Sequence, residues 1–206
     1  MAISDKRIYL ASRSTRRREL LLQIGVGHEL LLLREDPRRT VDVDETPRSG
    51  ETPCDYALRV AGAKARAGLS VMSRRAAVLK PVVAADTTIA LDQRIIGKPR
   101  DAAHAQEILA QLSGREHRVI TAVAMAFADH FETRVSESIV WMKALDTARI
   151  RRYIQSGEPM DKAGAYAVQG RAAAFISRIE GSHSGIMGLP LAETAELLTS
   201  FGIDIP

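Results

Sequence analysis

The sequence predicts an α/β fold: a mixed, bent central sheet flanked by helices. Three observations predict it. Short β-branched and apolar runs are interspersed, without strict alternation, among segments whose apolar residues recur at helical spacing. The two longest β-rich segments, His117–Ala128 and Phe131–Ala144, are consecutive and meet at Asp129-His130, which calls for an antiparallel hairpin. Hydrophobic residues are 46% and charged residues 26% of the 206 positions, the balance of a chain that buries a core.

The elements follow in order. Arg7–Ala11 is a β run that stops at Ser12-Arg13-Ser14. A helix is expected from about Thr15 to Leu22, with Leu20, Leu21 and Ile24 on one face and Gly25 and Gly27 as stop signals. His28–Leu33 reads as a second strand. A polar, proline-containing stretch from Arg34 to Pro53 carries the acidic cluster Asp42-Val43-Asp44-Glu45. A helix starts at Pro53 or Cys54, where proline suits the first turn, and runs to Gly68. Val82–Ala85 reads as a buried strand leading into Asp86-Thr87-Thr88 and a further β run, Ile89–Leu91. Asp101 caps a helix to Leu112 that Ser113-Gly114 closes, and Asp146 caps one to Gln155. The glycine-rich stretch Gly157–Gly188 contains a β run, Ala173–Ile179, and a last helix spans about Leu191–Phe201. No repeat, low-complexity block or long linker divides residues 1–206, so one domain is expected.

Composition excludes several function classes. A lone cysteine, Cys54, leaves no intramolecular disulfide and argues against a cysteine-based zinc site. No apolar run approaches the roughly 20 residues of a membrane helix, and the first residues lack the pattern of a signal peptide, so a cytoplasmic protein with no membrane partner is expected. The net charge of +4 suits anionic substrates. Aromatic residues, at 4%, are too few for base-stacking platforms, and no nucleic-acid partner is expected. Of the 29 cationic residues only six are lysines, among them Lys64, Lys98 and Lys162.

Three constellations could carry chemistry. Ser12-Arg13-Ser14-Thr15-Arg16-Arg17 puts hydroxyls and free backbone N–H groups where a strand feeds a helix, which is an anion site; alternatively Ser14 only caps that helix. Asp86 follows a buried apolar run and, with Asp42, Asp44 and Glu45, offers the oxygen donors that suit Mg²⁺ or Mn²⁺; alternatively Asp86-Thr87-Thr88 forms a turn with an Asx-type bond. Lys98 stands between Gly97 and Pro99, and with Lys64 and Asp161-Lys162-Ala163-Gly164-Ala165-Tyr166 could clamp phosphates, although a turn lysine can also be merely solubilising. The P-loop and the Gly-x-Gly-x-x-Gly fingerprint are both absent. His104, His117, His130 and His183 show no metal-ligand spacing, and His117, in a β run, reads as a packed core or surface residue.

These strings occur together and in order. Leu10-Ala11-Ser12-x-Ser14-x-Arg16-Arg17, Asp44-Glu45, Lys64, Ala85-Asp86-Thr87, Gly97-Lys98-Pro99, Leu112-Ser113-Gly114-x-x-His117-x-Val119-x-Thr121, Glu158-Pro159-x-Asp161-Lys162-Ala163-Gly164-Ala165-Tyr166 and Gly188-Leu189-Pro190 resemble the Maf family of nucleoside triphosphate pyrophosphatases. The chain departs from that family in having Thr15 where proline is usual, and in a longer loop through Arg34–Arg39.

The resemblance implies two lobes around a central cleft, similar to the inosine triphosphate pyrophosphatases. It implies hydrolysis between the α- and β-phosphates, with a divalent cation, Mg²⁺ or Mn²⁺, held by Glu45 and Asp86. Asp86 would be the general base, Lys64 and Lys98 would act with it on the phosphates, and Ser12, Ser14 and Arg17 would bind them. Arg16, Thr87 and Gln169 match the branch that resembles dTTP/UTP hydrolases; a Gln amide donates and accepts at once, as the O4/N3–H edge of a pyrimidine requires. A 7-methyl-GTP hydrolase and a septum-formation regulator that acts by binding are the alternatives, and a homodimer is compatible with either.

Overall fold

The computed structural model describes residues 7–34 and 41–205; Lys6 and residues 35–39 of the lengthened loop lie outside the described residues. Seven strands form one sheet: β1 (Ile8–Leu10), β2 (His28–Leu30), β3 (Val82–Leu91), β4 (Arg94–Ile96), β5 (Glu116–Phe127), β6 (His130–Met142) and β7 (Ile176–Glu180). The helices are α1 (Thr15–Gln23), α2 (Pro53–Arg74), α3 (Ala102–Leu112), α4 (Thr147–Gln155), α5 (His183–Met187) and α6 (Leu191–Ser200). The strand order is β2-β1-β3-β5-β6-β7, with β4 also beside β3. β1 runs parallel to β2 and β3, and every other pair is antiparallel, so the sheet is mixed. The expected hairpin is β5–β6, in register from Glu116 opposite Trp141 to Phe127 opposite His130.

The alternation of β3 sorts the core. Val82, Ala84 and Ala90 face α2, whose fully buried Ala57, Ala61 and Ala65 let the helix lie close to the sheet. On the other face Val83 and Ala85 join Leu20, Leu21, Leu197 and Leu198 of α1 and α6. Further along that face, Ile89 and Leu91 join Leu109 and Leu112 of α3 and Ile150 and Tyr153 of α4. Thr87 stands between these two apolar clusters.

Edge pairing then creates an opening. β5 pairs β3 from Val82 to Ala90 and takes one whole edge. The other edge is shared: β1 pairs only at Val82 and Val83, and β4 only from Ile89 to Leu91. Residues 84–88 therefore have no partner strand there, and a cleft opens at that gap.

Several local expectations change. β3 is continuous, so Asp86-Thr87-Thr88 is strand and not a turn. α2 does not stop at Gly68 but continues to Arg74; a Cβ on Gly68 would lie 2.6 Å from Val82 Cγ1, so glycine is there for close helix–sheet approach. The second strand ends at Leu30 and not Leu33. The β run expected from Ala173 begins only at Ile176, because residues Arg171–Phe175 form a 3-10 turn. β4 and α5 were not foreseen. No helix among the described residues is long and apolar enough to cross a membrane.

Candidate active site

The cleft has a volume of about 930 Å³ and is lined by residues from 11 to 188. Its floor is Asp86, only 7% exposed, in the unpaired stretch of β3. Lys64, three turns along α2, points its Nζ between two carboxylates, 2.8 Å from Asp86 Oδ1 and 2.9 Å from Glu45 Oε1. Glu45 comes from a segment without helix or strand, and its side chain is 42% exposed. Asp42 is engaged elsewhere: Arg34 donates to it from its backbone N at 2.8 Å and from its guanidinium at 2.8 and 3.1 Å. These bonds hold the Asp42 carboxyl below the usual carboxylate range. Asp44 lines the cleft, with its carboxylate accepting from Thr46 N at 2.9 Å.

One wall is the β1–α1 connection. Ser14 caps α1, its Oγ accepting from Arg17 N at 3.4 Å, and also lines the cleft, so both readings of this serine coexist. Ser12 Oγ accepts from Ser14 N at 3.2 Å. Arg17, expected to reach for phosphate, instead ties the site together. Its Nε donates to Gly188 O at 2.7 Å, Nη1 to Ser12 Oγ at 3.1 Å and Nη2 to Thr87 Oγ1 at 3.3 Å. Thr87 is also held from behind by Thr121, whose hydroxyl lies 3.0 Å away and reaches Gly185 O at 2.7 Å. Arg16 lines the cleft and makes no hydrogen bond or ion pair with the described residues.

The opposite wall comes from the β4–α3 turn and the segment after α4. Lys98 is exposed on the cleft, and the adjacent Gly97 carbonyl accepts from Gly164 N at 3.0 Å. Gly164 has φ +69°, and a Cβ there would collide with Ile89, so the turn requires glycine twice over. Lys162 donates to Glu158 O at 2.8 Å and also pairs with Asp161. Burial alone would raise the Asp161 carboxyl, but the Lys162 hydrogen bond and the Lys162 and Arg16 charges leave it below its ordinary value. Glu158 fixes the segment carrying Gln169: its carboxylate accepts from Tyr153 Oη at 2.8 Å, Arg171 N at 3.0 Å and Ala172 N at 3.4 Å. Gln169 itself is exposed on the cleft, and no described residue bonds its amide. Tyr166 lines the same wall, backed by buried His117 through a 2.8 Å contact between Nε2 and the phenol oxygen. Burial pushes His117 down to about 4 and the Tyr166 phenol up.

The ten residues singled out from the sequence thus all border one cleft. Sequence reasoning missed Tyr56 and Arg59, and it quoted Thr121 and Gly188 within motif strings without giving either a role. Tyr56 could have been suspected from standing eight residues before Lys64 on the same helix; Arg59 carries no local signal. No group of three or more His, Cys, Asp or Glu converges among the described residues. A two-carboxylate, all-oxygen set fits a hard cation that completes its shell with substrate phosphates and water, and does not fit a closed zinc site.

Comparison with known proteins finds relatives over nearly the whole chain. Curated relatives named dTTP/UTP pyrophosphatase include one from Nitrosomonas europaea, 53% identical over 198 residues and 96% of each chain. Another, from Aromatoleum aromaticum, is 56% identical over 197 residues, covering 95% of this chain and 96% of its own. Among solved structures, the Ham1 protein of Staphylococcus aureus aligns over 95% of this chain and 97% of its own, at 18% identity and a TM-score of 0.44. The family description "Maf-like protein" matches residues 7–201, from just before β1 to just past α6, and the chain belongs to the Maf family.

Proposed function

We propose that the chain is a nucleoside triphosphate pyrophosphatase that hydrolyses dTTP and UTP to the nucleoside monophosphate and pyrophosphate. The observation that carries this reading is the Glu45–Lys64–Asp86 contact at the floor of a cleft whose rim holds Arg16, Lys98 and Lys162. Full-length relatives at about half identity, named for that activity, support it.

On this reading water attacks the α-phosphorus, the bond to the bridging oxygen of the β-phosphate breaks, and pyrophosphate leaves. Asp86 accepts the proton of the attacking water, because its carboxylate is the one at the floor of the gap and Lys64 fixes its orientation. Glu45 and Asp86 would hold a divalent cation, Mg²⁺ or Mn²⁺, which supplies charge neutralisation to the triphosphate. Arg16, Lys98 and Lys162 meet the charge that develops on the leaving group. Arg17 acts at one remove, holding Ser12 and Thr87 in place. Gln169, with its amide unengaged, reads the pyrimidine edge beside Thr87. The chain then works on free nucleotides in the cytoplasm, as one domain closed around the cleft.

The test is a panel of canonical and modified triphosphates with Mg²⁺ or Mn²⁺, reading pyrophosphate release. dTTP and UTP are expected to have the highest kcat/KM, by roughly a hundredfold over purines if two polar groups that the bound base desolvates go unpaired with the wrong base. Chelation with EDTA should abolish turnover and added cation restore it, and Gln169→Glu should depress the dTTP rate. A higher kcat/KM for 7-methyl-GTP or a purine triphosphate would overturn the substrate reading.

A further inference from the structure

We propose that Tyr56 and Arg59 are positioning residues that fix the Glu45 carboxylate opposite Asp86. This rests on the reading of Glu45 and Asp86 given above.

Glu45 belongs to a stretch, residues 41–52, that has no helix or strand of its own. A half-exposed carboxylate on such a stretch would lose considerable freedom on joining a site, unless its backbone is already tethered. The tether is there. Three successive carbonyls, those of Asp44, Glu45 and Thr46, are each taken by a side chain of α2. Arg59 Nη1 donates to Asp44 O at 3.1 Å, Tyr56 Oη to Glu45 O at 3.0 Å, and Arg59 Nη2 to Thr46 O at 3.0 Å. The guanidinium is itself held fork to fork by Glu51, Nε to Oε1 at 2.5 Å and Nη2 to Oε2 at 2.8 Å. Glu51 also closes its own loop by accepting from Arg48 N at 3.0 Å.

Lys64, which holds the Glu45 carboxylate, lies on the same helix eight residues beyond Tyr56, or about 12 Å along its axis. One helix, seated on the sheet by its alanine face, thus grips Glu45 by main chain and side chain together. A lysine could not replace Arg59, because only a planar fork reaches two carbonyls and a carboxylate at once. Arg59 holds the Glu51 carboxyl at about 2, so the partner stays charged. Burial, with Asp86 and Glu45 nearby, raises the Tyr56 phenol, so it stays a donor.

The experiment compares Tyr56→Phe, Arg59→Lys, Glu51→Gln and Glu45→Gln, and each of the first three combined with Glu45→Gln. It reads kcat and KM for dTTP, Mn²⁺ binding without nucleotide by water-proton relaxation, and thermal melting. Tyr56→Phe should lower kcat by about tenfold, the worth of one hydrogen bond, with KM nearly unchanged and Mn²⁺ binding weakened in parallel. Arg59→Lys should cost more and Glu51→Gln less. In the Glu45→Gln background none of the three should have a further effect. Wild-type kcat and Mn²⁺ binding in both Tyr56→Phe and Arg59→Lys, with Glu45→Gln inactive, would overturn the latch and leave the site reading standing. Multiplying effects in the double variants would overturn it too. Wild-type behaviour of Glu45→Gln would remove the site reading and the latch together. Should Arg59→Lys melt early, Tyr56→Phe and Glu51→Gln decide alone.

Discussion

Asp86 is nearly buried, yet it meets a lysine and the only stretch of β3 without a neighbouring strand on that edge. Such a carboxylate is costly to bury for packing alone, which is why a chemical role suits it. Asp86→Asn keeps the shape and the Lys64 contact but removes the charge and basicity; we expect pyrophosphate release to fall by about 10²–10⁴-fold with an unchanged circular dichroism spectrum. A folded variant with wild-type turnover would remove Asp86 as the base. At this scale the sequence indicated which residues border the cleft better than what each one touches. The partners of Arg17 stand 5, 70 and 171 positions away, so nothing near it in the sequence announces that its donors are already engaged. Lysine burial divides the described lysines, for Lys98 and Lys143 are exposed. Lys64, Lys80 and Lys162 have side chains only 13, 8 and 14% exposed, each with Nζ within 3 Å of an oxygen, where a compact point charge fits.

Among the elements, α2 does most to build the site, since it carries Tyr56, Arg59 and Lys64 and closes one face of the sheet. Its closeness to that sheet depends on Gly68, where a Cβ would press on Val82 and approach Leu31 and Ala11. Gly68→Ala gains helix propensity but forces the helix outward; a net loss of about 1–3 kcal/mol in urea unfolding is expected, as for other overpacked cores. Unchanged or increased stability would show that the helix can shift freely. The strongly periodic elements were legible from sequence: α3 and α4 begin where Asp101 and Asp146 cap them, and β5 and β6 meet at the expected hairpin. The end of α2 was not, because a glycine that stops a helix and one that admits a neighbour look the same until Val82 is brought beside it. β4, three residues long, carries too few positions to show a period.

Across the whole molecule, the buried His117 makes stability depend on pH. Its pKa is lowered from 6.5 to about 4 by burial. Above pH 6.5 the ring is neutral folded or unfolded and contributes nothing. As pH falls below 6.5 the unfolded chain takes up a proton that the folded one refuses, so stability is lost through the window down to 4. Between pH 7.5 and 5 this amounts to about 2 kcal/mol, read from urea midpoints; carboxylates held low, such as Glu51, act only at lower pH. His117→Gln should flatten that decline, and an equally steep loss in the variant would assign it to other groups. By itself the sequence determined the α/β class and the order of most elements, because period, capping and composition act over a few neighbouring positions; the residues that border the cleft came as a set only from motif strings that resemble a known family. Only the tertiary structure decided that β1 and β4 share one edge of β3 and leave residues 84–88 open between them. Strand pairing across some 70 residues depends on which faces can be buried together, and that balance belongs to the whole chain and to no local stretch of it.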